Sequence, residues 1–251
     1  MLFSIITCTY NSENYLQKNI DSLKNQTFKD FEHIFIDGFS TDKTMDIIEK
    51  YRKDFPEKVR VFQFPAKGIA NAMNIGIEKS KGKYINHMHS DDSFYSNNTL
   101  DKISNFINKN NHPDWIYGKA LFTDIENGNK RIIPHRMIYK KIRYWLFFLT
   151  NYIPHQSVFL KREMFEKYGM FDEQYKNFMD YELWIRLAKI KVRSKFYDEI
   201  VCNFTVRKDS QSEIGKHTNE YFTVLTKYFK SKLLVKVLFF LHKINQRRRF
   251  F

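Results

Sequence analysis

The residues best equipped for chemistry lie in Lys83–Asp92, KYINHMHSDD, where an apolar stretch runs into two adjacent carboxylates, Asp91 and Asp92. Side chains alternate along a strand, so neighbouring acids at its end serve different directions. One can reach a cation while the other reaches a hydroxyl. Hard divalent cations are held by one or two carboxylates together with diphosphate oxygens, so Ser90-Asp91-Asp92 has the makings of half a cation–diphosphate site. The competing reading is a turn, where Asp is common for its own hydrogen bonding. Two further acids stand in telling places. Asp37 closes the apolar run EHIFID, and Asp180 heads the segment DYELWIRLAKI. At a helix N-terminus an Asp is held in the ionised form that a general base needs, although that segment by itself reads first as a helix cap.

These acids need strands and helices to bring them together. Phe3–Tyr10 is a continuous apolar run, the pattern of a strand covered on both faces. Asn11 and Ser12 then offer helix caps, and Leu16, Ile20 and Leu23 recur at helical spacing. Glu32–Asp37 is a second strand ending at Gly38, with Ser40 and Thr41 before a helix carrying Met45, Ile48 and Tyr51. Val59–Phe64 is a third strand, broken by Pro65 and Gly68; Ile69–Ser80 reads as helix and Lys83–His89 as the fourth strand. This alternation predicts an α/β fold with a parallel sheet and right-handed crossovers. Ligands collect beyond the carboxyl ends of such strands, which is where Thr9, Tyr10, Asn11, Asp37, Asp91 and Asp92 fall. No Gly-x-Gly-x-x-Gly follows the first strand and no Walker loop is present.

The second half is less regular. Leu100–Ile107 reads as helix, and Trp115–Thr123 with Arg131–Pro134 as a hairpin turning at Asn127-Gly128-Asn129. Tyr139–Leu149 is basic and apolar. His155–Leu160 reads as a strand, Arg162–Tyr168 as a short helix ending at Gly169, and Asp180–Ile190 as a helix with Leu183, Leu187 and Ile190 on one face.

At 251 residues the chain has room for one large domain, or one domain with an appendage. A hydrophobic content of 43% supports a sizeable core, and a net charge of +14 asks for an anionic partner: nucleic acid, anionic lipid or a phosphorylated substrate. The two cysteines, Cys8 and Cys202, fit a reducing compartment better than a disulfide. The N-terminus does not have the pattern of a signal peptide, and no apolar run approaches the ~20 residues that span a bilayer. From Tyr221 onward there is no Asp or Glu. Lys232, Lys236, Lys243 and Arg247 form one stripe of a helical wheel beside Leu233, Leu234, Val237, Phe240, Leu241 and Ile244. That is the pattern of a helix lying in a membrane interface against anionic headgroups; the alternative is a terminal helix packed on the core.

Six blocks in order, SIITCTYNSENYL, FIDGFSTDKT, KGIANAMNIGI, KGKYINHMHSDD, HQSVFLKREMFEKYGMFD and MDYELWIRL, resemble the family 2 glycosyltransferases over about Phe3–Ala188. The likeness is greatest to the bacterial branch that builds capsule, O-antigen and exopolysaccharide repeat units. The resemblance implies a glycosyltransferase A-type fold: a mainly parallel, Rossmann-like sheet flanked by helices. It also implies a nucleotide-diphosphate sugar donor (a UDP-sugar), a Mg²⁺ or Mn²⁺ ion and inversion at the anomeric carbon. By motif, Thr9, Tyr10 and Asn11 would edge the nucleotide pocket, Asp37 would hold base or ribose, and Asn74 would lie near the donor. Asp91 would contact the ribose or sugar and Asp92 would bind the metal. His155 and Gln156 would line the acceptor side, and Asp180 would be the catalytic base. The expected division is a catalytic domain over 1–215, with a nucleotide-sugar half (1–95) and an acceptor half (96–215), and a basic amphipathic helical tail over 216–251. The tail points to a polyprenyl-diphosphate-linked glycan acceptor at the cytoplasmic face of the cell membrane, with the protein peripheral there and no nucleic acid as partner.

Four departures stand out. Phe39 takes a position where the family has a small residue, Ala66 one where this branch often has an acid, Met179 one where many members have Glu, and His89 one that is usually Asn or Asp. His87 and His89 read as packed strand residues, not ligands. Two rival classes remain. A sugar nucleotidyltransferase would need a Gly-rich basic loop after the first strand, which is missing. A protein that binds nucleic acid or another anionic surface would account for the charge, but the excess is concentrated in the tail and near Lys140–Arg143, beside Trp145, Phe147 and Phe148.

Overall fold

The computed structural model describes residues 1–134, 141–148, 151–207 and 218–229, with 231, 233, 235–237 and 239 beyond them. The chain opens with β1 (Phe3–Thr9), α1 (Leu16–Lys24), β2 (Phe31–Asp37), α2 (Thr44–Asp54), β3 (Val59–Gln63), α3 (Ile69–Lys79) and β4 (Tyr84–His87). It continues with β5 (Ser93–Phe94), α4 (Thr99–Lys109), β6 (Trp115–Asp124), β7 (Lys130–Ile133), β8 (Val158–Lys161), α5 (Arg162–Tyr168), α6 (Met179–Lys189), β9 (Ser194–Val206) and α7 (Thr218–Tyr228). Two 3-10 turns, Tyr144–Phe148 and His155–Ser157, precede β8. Among the described residues the strands form one sheet in the order β3-β2-β1-β4-β8-β6-β9-β5, with β7 paired to β6.

The first four strands are parallel, as their alternation with helices predicts. Period-two burial sorts their side chains. Ile6, Ile34 and Ile36 join Met73 and Ile77 of α3, while Phe35 faces Leu16, Ile20 and Ile48 of α1 and α2. Each such fully buried side chain contributes about 2 kcal/mol. Gly76 lets α3 approach the sheet, since a Cβ there would overlap Ile6.

Beyond β4 the sheet is mixed. β8 runs antiparallel to both β4 and β6, and β6 is parallel to β9. The hairpin of β6 and β7 is as predicted, and the predicted strand at His155 begins three residues later, after the 3-10 turn. Neither β5 nor β9 is evident from the sequence. The thirteen residues of β9, SKFYDEIVCNFTV, pair with β6 across register shifts around Lys119. Gly118 sits at this irregularity, where a Cβ would overlap Val201, and the slip breaks the period-two pattern that marks a strand.

Cys8 and Cys202 are free thiols, as expected. The predicted basic-apolar stretch Tyr139–Leu149 is described only over 141–148. Most of the tail stripe, including Lys232, Lys243 and Arg247, lies outside the described residues. The start of the tail is packed on the domain. Tyr221, Val224 and Leu225 of α7 are fully buried, and Tyr221 stacks on Tyr181 of α6 at 5.3 Å.

Candidate active site

The tips of β1 and β2 are stitched together. Asp37 Oδ1 accepts hydrogen bonds from Thr9 Oγ1 (2.9 Å) and Ser40 Oγ (2.5 Å), and Oδ2 from Ser40 N (2.9 Å) and Gln63 Nε2 (3.1 Å). Asp37 and Thr9 are buried, and Asp37 holds the tips of β1 and β2 together. Asn11 accepts from Thr41 N at 2.9 Å and holds a left-handed backbone, φ +50°. Phe39 does likewise at φ +61°, a conformation that costs a side-chain-bearing residue about 1 kcal/mol or more. Tyr10 and Phe39 remain 60% and 52% exposed at this rim, and Asn11 is exposed beside them.

Asn74 is engaged elsewhere. Its amide donates to the Phe171 carbonyl (2.9 Å) and Glu173 (2.9 Å) and accepts from Phe171 N (3.0 Å). It ties α3 to the segment entering α6, and the sequence expectation of a donor contact is not what its geometry provides.

The acid pair past β4 divides in an unexpected way. Asp92 is only 2% exposed. Its Oδ1 accepts from Thr205 N (2.9 Å) and its Oδ2 from Gln156 Nε2 (2.7 Å). Burial, then the neighbouring Asp91 charge, pushes its carboxyl well above the ordinary carboxylate range. Asp92, expected as the metal ligand, is thus a shut-in acid that locks the loop to β8 and β9. Asp91 takes the outward position, and its Oδ2 pairs with Arg207 at 2.9 Å. The physical reason is that both acids lie beyond the last residue of β4, in a turn, where strand alternation no longer assigns faces.

Asn86 opens the space beside them. Its side chain donates to the carbonyls of Gln156 and Val158, 2.8 Å each, where β4 and β8 diverge. This holds the His155–Ser157 turn against the acid pair. Gln156 therefore supports Asp92 directly, and His155 stacks on His89 with centroids 5.5 Å apart and planes at 13°. His87 packs on the other side at 5.4 Å. Burial holds His155 and His89 below the ordinary imidazole range and takes His87 down to about 3, so all three are neutral near pH 7. Both ring nitrogens of His155 are buried without a hydrogen-bond partner among the described residues.

His155 also reaches α6, lying 6.0 Å from the Trp184 ring. One turn back from Trp184, Asp180 sits in the first turn of α6. Its Oδ1 accepts from Tyr181 N (2.6 Å) and its Oδ2 from Asn151 Nδ2 (3.5 Å). Burial outweighs these bonds and raises its carboxyl to about 6. A carboxylate whose proton affinity lies near the working pH is suited to taking a proton from a hydroxyl. Met179 stands where many family members have Glu, and the side-chain partner Asp180 has here is Asn151.

Three residues escape the sequence reading: Thr205, Arg207 and Tyr15, whose ring lies under the Arg207 guanidinium at 3.7 Å. The signal that could have found the first two is β9 itself, since a strand ending at Val206 would put Thr205 and Arg207 at a sheet terminus.

Residues 4–169 match the family profile described as Glycosyl transferase family 2. A relative in Haemophilus influenzae, an uncharacterized glycosyltransferase, is 31% identical over 245 residues, covering 90% of this chain and 95% of its own length. Among solved structures, S. aureus TarS 1–349 in complex with UDP-GlcNAc superposes with a TM-score of 0.73 at 22% identity, over 91% of this chain. This chain spans 65% of that one. The mannosyltransferase PcManGT from Pyrobaculum calidifontis, in complex with GDP-Man and Mn²⁺, superposes with a TM-score of 0.66 at 16% identity, over 94% of this chain and 67% of its own. At these identities the structural likeness is one of fold.

Proposed function

Given that the chain belongs to glycosyl transferase family 2, with the glycosyltransferase A-type fold, we propose that it moves a hexose or N-acetylhexosamine from a UDP-sugar to a hydroxyl of a lipid-linked or growing glycan, with inversion. That it is a glycosyltransferase follows from the family. The donor nucleotide, the acceptor and the stereochemistry are the reading offered here. The UDP-GlcNAc bound by TarS 1–349 supports a uridine donor.

The observation that carries the mechanism is Asp180, half-buried in the first turn of α6, with its carboxyl raised to about 6 by desolvation. Trp184, one turn further along α6, lies 6.0 Å from the ring of His155, whose neighbour Gln156 bonds Asp92. Asp180 accepts the acceptor's hydroxyl proton as that oxygen bonds to the anomeric carbon. The bond from that carbon to the diphosphate breaks, and its electron pair leaves with the nucleoside diphosphate. Neutral His155 and His89 stack on each other beside the acid pair. Tyr10 is the surface offered to the base, and Asp37 with Thr9 sets the rim that presents it.

A divalent ion was expected on Asp92. Among the described residues Asp92 accepts one hydrogen bond on each oxygen, and Asp91 pairs with Arg207. Among the described residues no three His, Cys, Asp or Glu side chains form a metal-binding group. No step is routed through a metal here.

The test is Asp180→Asn. Transfer, read as released nucleoside diphosphate, should fall by about 10²-fold or more, while UDP affinity stays within about twofold. Full transfer by this variant would remove Asp180 from the mechanism. The basic tail supports a membrane-borne acceptor and a peripheral position on the inner face of the cell membrane.

A further inference from the structure

The 3-10 turn Tyr144–Phe148 divides by exposure. Leu146 and Phe147 are buried in the main core, while Trp145 is 48% exposed, with Lys141 and Arg143 exposed just ahead of it. The turn has firm support. Tyr181, the residue after Asp180, donates a hydrogen bond from its hydroxyl to the Phe147 carbonyl, and the Tyr144 hydroxyl donates to the Tyr228 carbonyl at 3.2 Å. The Tyr144 ring also lies 5.3 Å from that of Phe229. Tyr228 is met in turn by Lys189 at the end of α6, whose Nζ is 5.7 Å from its ring. Exposed Ile190 and Lys191 follow. Three stretches without Asp or Glu thus meet at Tyr228: 127–162, 183–197 and 221–251. The acid that touches Tyr228, Glu182, is almost fully buried and already paired with Arg186 and Lys227. Lys141, Arg143, Lys189 and Lys191 form no ion pair among the described residues.

We propose that this end of the molecule is a membrane-docking surface: Trp145 seats in the interface of an anionic bilayer, and Lys141, Arg143, Lys189 and Lys191 face its headgroups. The proposal rests on the peripheral membrane reading above and puts a contact on the catalytic body itself, apart from the tail. Trp settles at the headgroup level, where its ring is covered and its indole N–H keeps a polar partner. Each Lys or Arg near an anionic surface adds attraction, and no acid of these three stretches offsets it. The apolar residues at this end favour a bilayer over a nucleic acid. Ile190 is 46% exposed, and Leu233, four residues past Phe229, is 75% exposed. Both gain from leaving water for an acyl layer, whereas a phosphate backbone offers them nothing. The turn is hydrogen-bonded to α6 beside Asp180, so docking holds the base at a set height over the bilayer, which suits an acceptor anchored in lipid.

The chain has three tryptophans, and Trp115 and Trp184 are fully buried, so quenching on docking reports on Trp145. The full chain is mixed with vesicles of phosphatidylcholine and phosphatidylglycerol in equal parts, or of phosphatidylcholine alone, each with brominated acyl chains as quencher. Emission should be quenched by the anionic vesicles and not by the neutral ones. Trp145→Phe should remove that quenching. Lys141→Gln together with Arg143→Gln should cut affinity for the anionic vesicles by about tenfold or more, read by sedimentation. Thermal melting checks that the variants fold, and the wild-type quenching needs no variant. Wild-type sedimentation with emission unquenched would show that the tail docks alone; that overturns this proposal and leaves the peripheral reading standing, as does undiminished affinity in the double variant. Absence of wild-type sedimentation overturns both. Tighter binding to a single-stranded oligonucleotide than to the anionic vesicles would assign the patch to nucleic acid and also overturn the proposal.

Discussion

Asp180 holds its proton up to about pH 6 because burial costs its charged form more than Tyr181 N and Asn151 return to it. The sign of the pH dependence follows. A base must be ionised, so kcat/KM should fall as pH drops through about 6, approaching tenfold per unit below it, while nucleotide binding varies much less. A pH–rate profile whose acid limb is centred near 4, the ordinary carboxylate value, would place the catalytic base elsewhere. Other residues show what a sequence can and cannot say at this scale. Asp37, Thr9 and Asn74 are polar residues near strand ends or a helix face, and the sequence marks them for that. It cannot show that their hydrogen bonds are spent on Ser40, Gln63 and the Phe171 backbone, because those partners are distant along the chain or belong to a loop. The same holds for the acid pair: the sequence places two carboxylates side by side, and only Gln156 in the turn before β8, Thr205 on β9 and Arg207 just past it decide that Asp92 is enclosed and Asp91 paired.

The helix α6 is located by its neighbours as much as by its own sequence. Glu182 is almost fully buried, and its Oε2 accepts from Arg186 at 2.9 Å. Its Oε1 accepts from Lys227 Nζ at 3.0 Å and from the Tyr228 hydroxyl, both on α7. Arg186 in turn donates to the carbonyls of Tyr168, Gly169 and Met170. At the other end, Glu220 of α7 accepts from the backbone N–H groups of Lys176, Asn177 and Phe178, immediately before Asp180. Removing the Glu182 charge would leave Arg186 poorly paired. Glu182→Gln should therefore lower unfolding free energy by about 3 kcal/mol in urea titration, the lower end of the range for a broken buried pair because Lys227 is partly solvated. It should also lower kcat more than it raises KM, since the base moves with the helix. Unchanged stability would mean that the tie between α6 and α7 contributes nothing net. Helical spacing makes α6 itself legible; β9 is not, because the slip around Lys119 and the acids Asp198 and Glu199 disguise it.

Across the whole molecule, α7 belongs structurally with the body that carries Asp180, and we place the boundary of the basic tail after it rather than at residue 216. Cutting the chain before Thr218 would strip Glu220, Lys227 and Tyr228 from α6 and expose the surface under Tyr221 and Leu225. That truncation should melt well below the full chain. Removing 240–251, which carries Lys243, Arg247, Arg248 and Arg249, should reduce sedimentation with anionic liposomes. Undiminished sedimentation would show that membrane attachment lies outside that segment. What the sequence determines by itself is local and periodic: the four parallel strands with their helices, the hairpin, the acids at strand ends, the family and hence the chemistry class. These follow from side-chain spacing and from motifs contiguous in the chain. What only the tertiary structure decides is which polar groups are already satisfied and which face the cleft. Asp92 is closed by Gln156 and Thr205, and Asp91 is met by Arg207, from segments 64 to 116 residues away. A hydrogen bond between such distant segments leaves no periodicity to read, so the pairing of Arg207 with Asp91 becomes visible only in the folded chain.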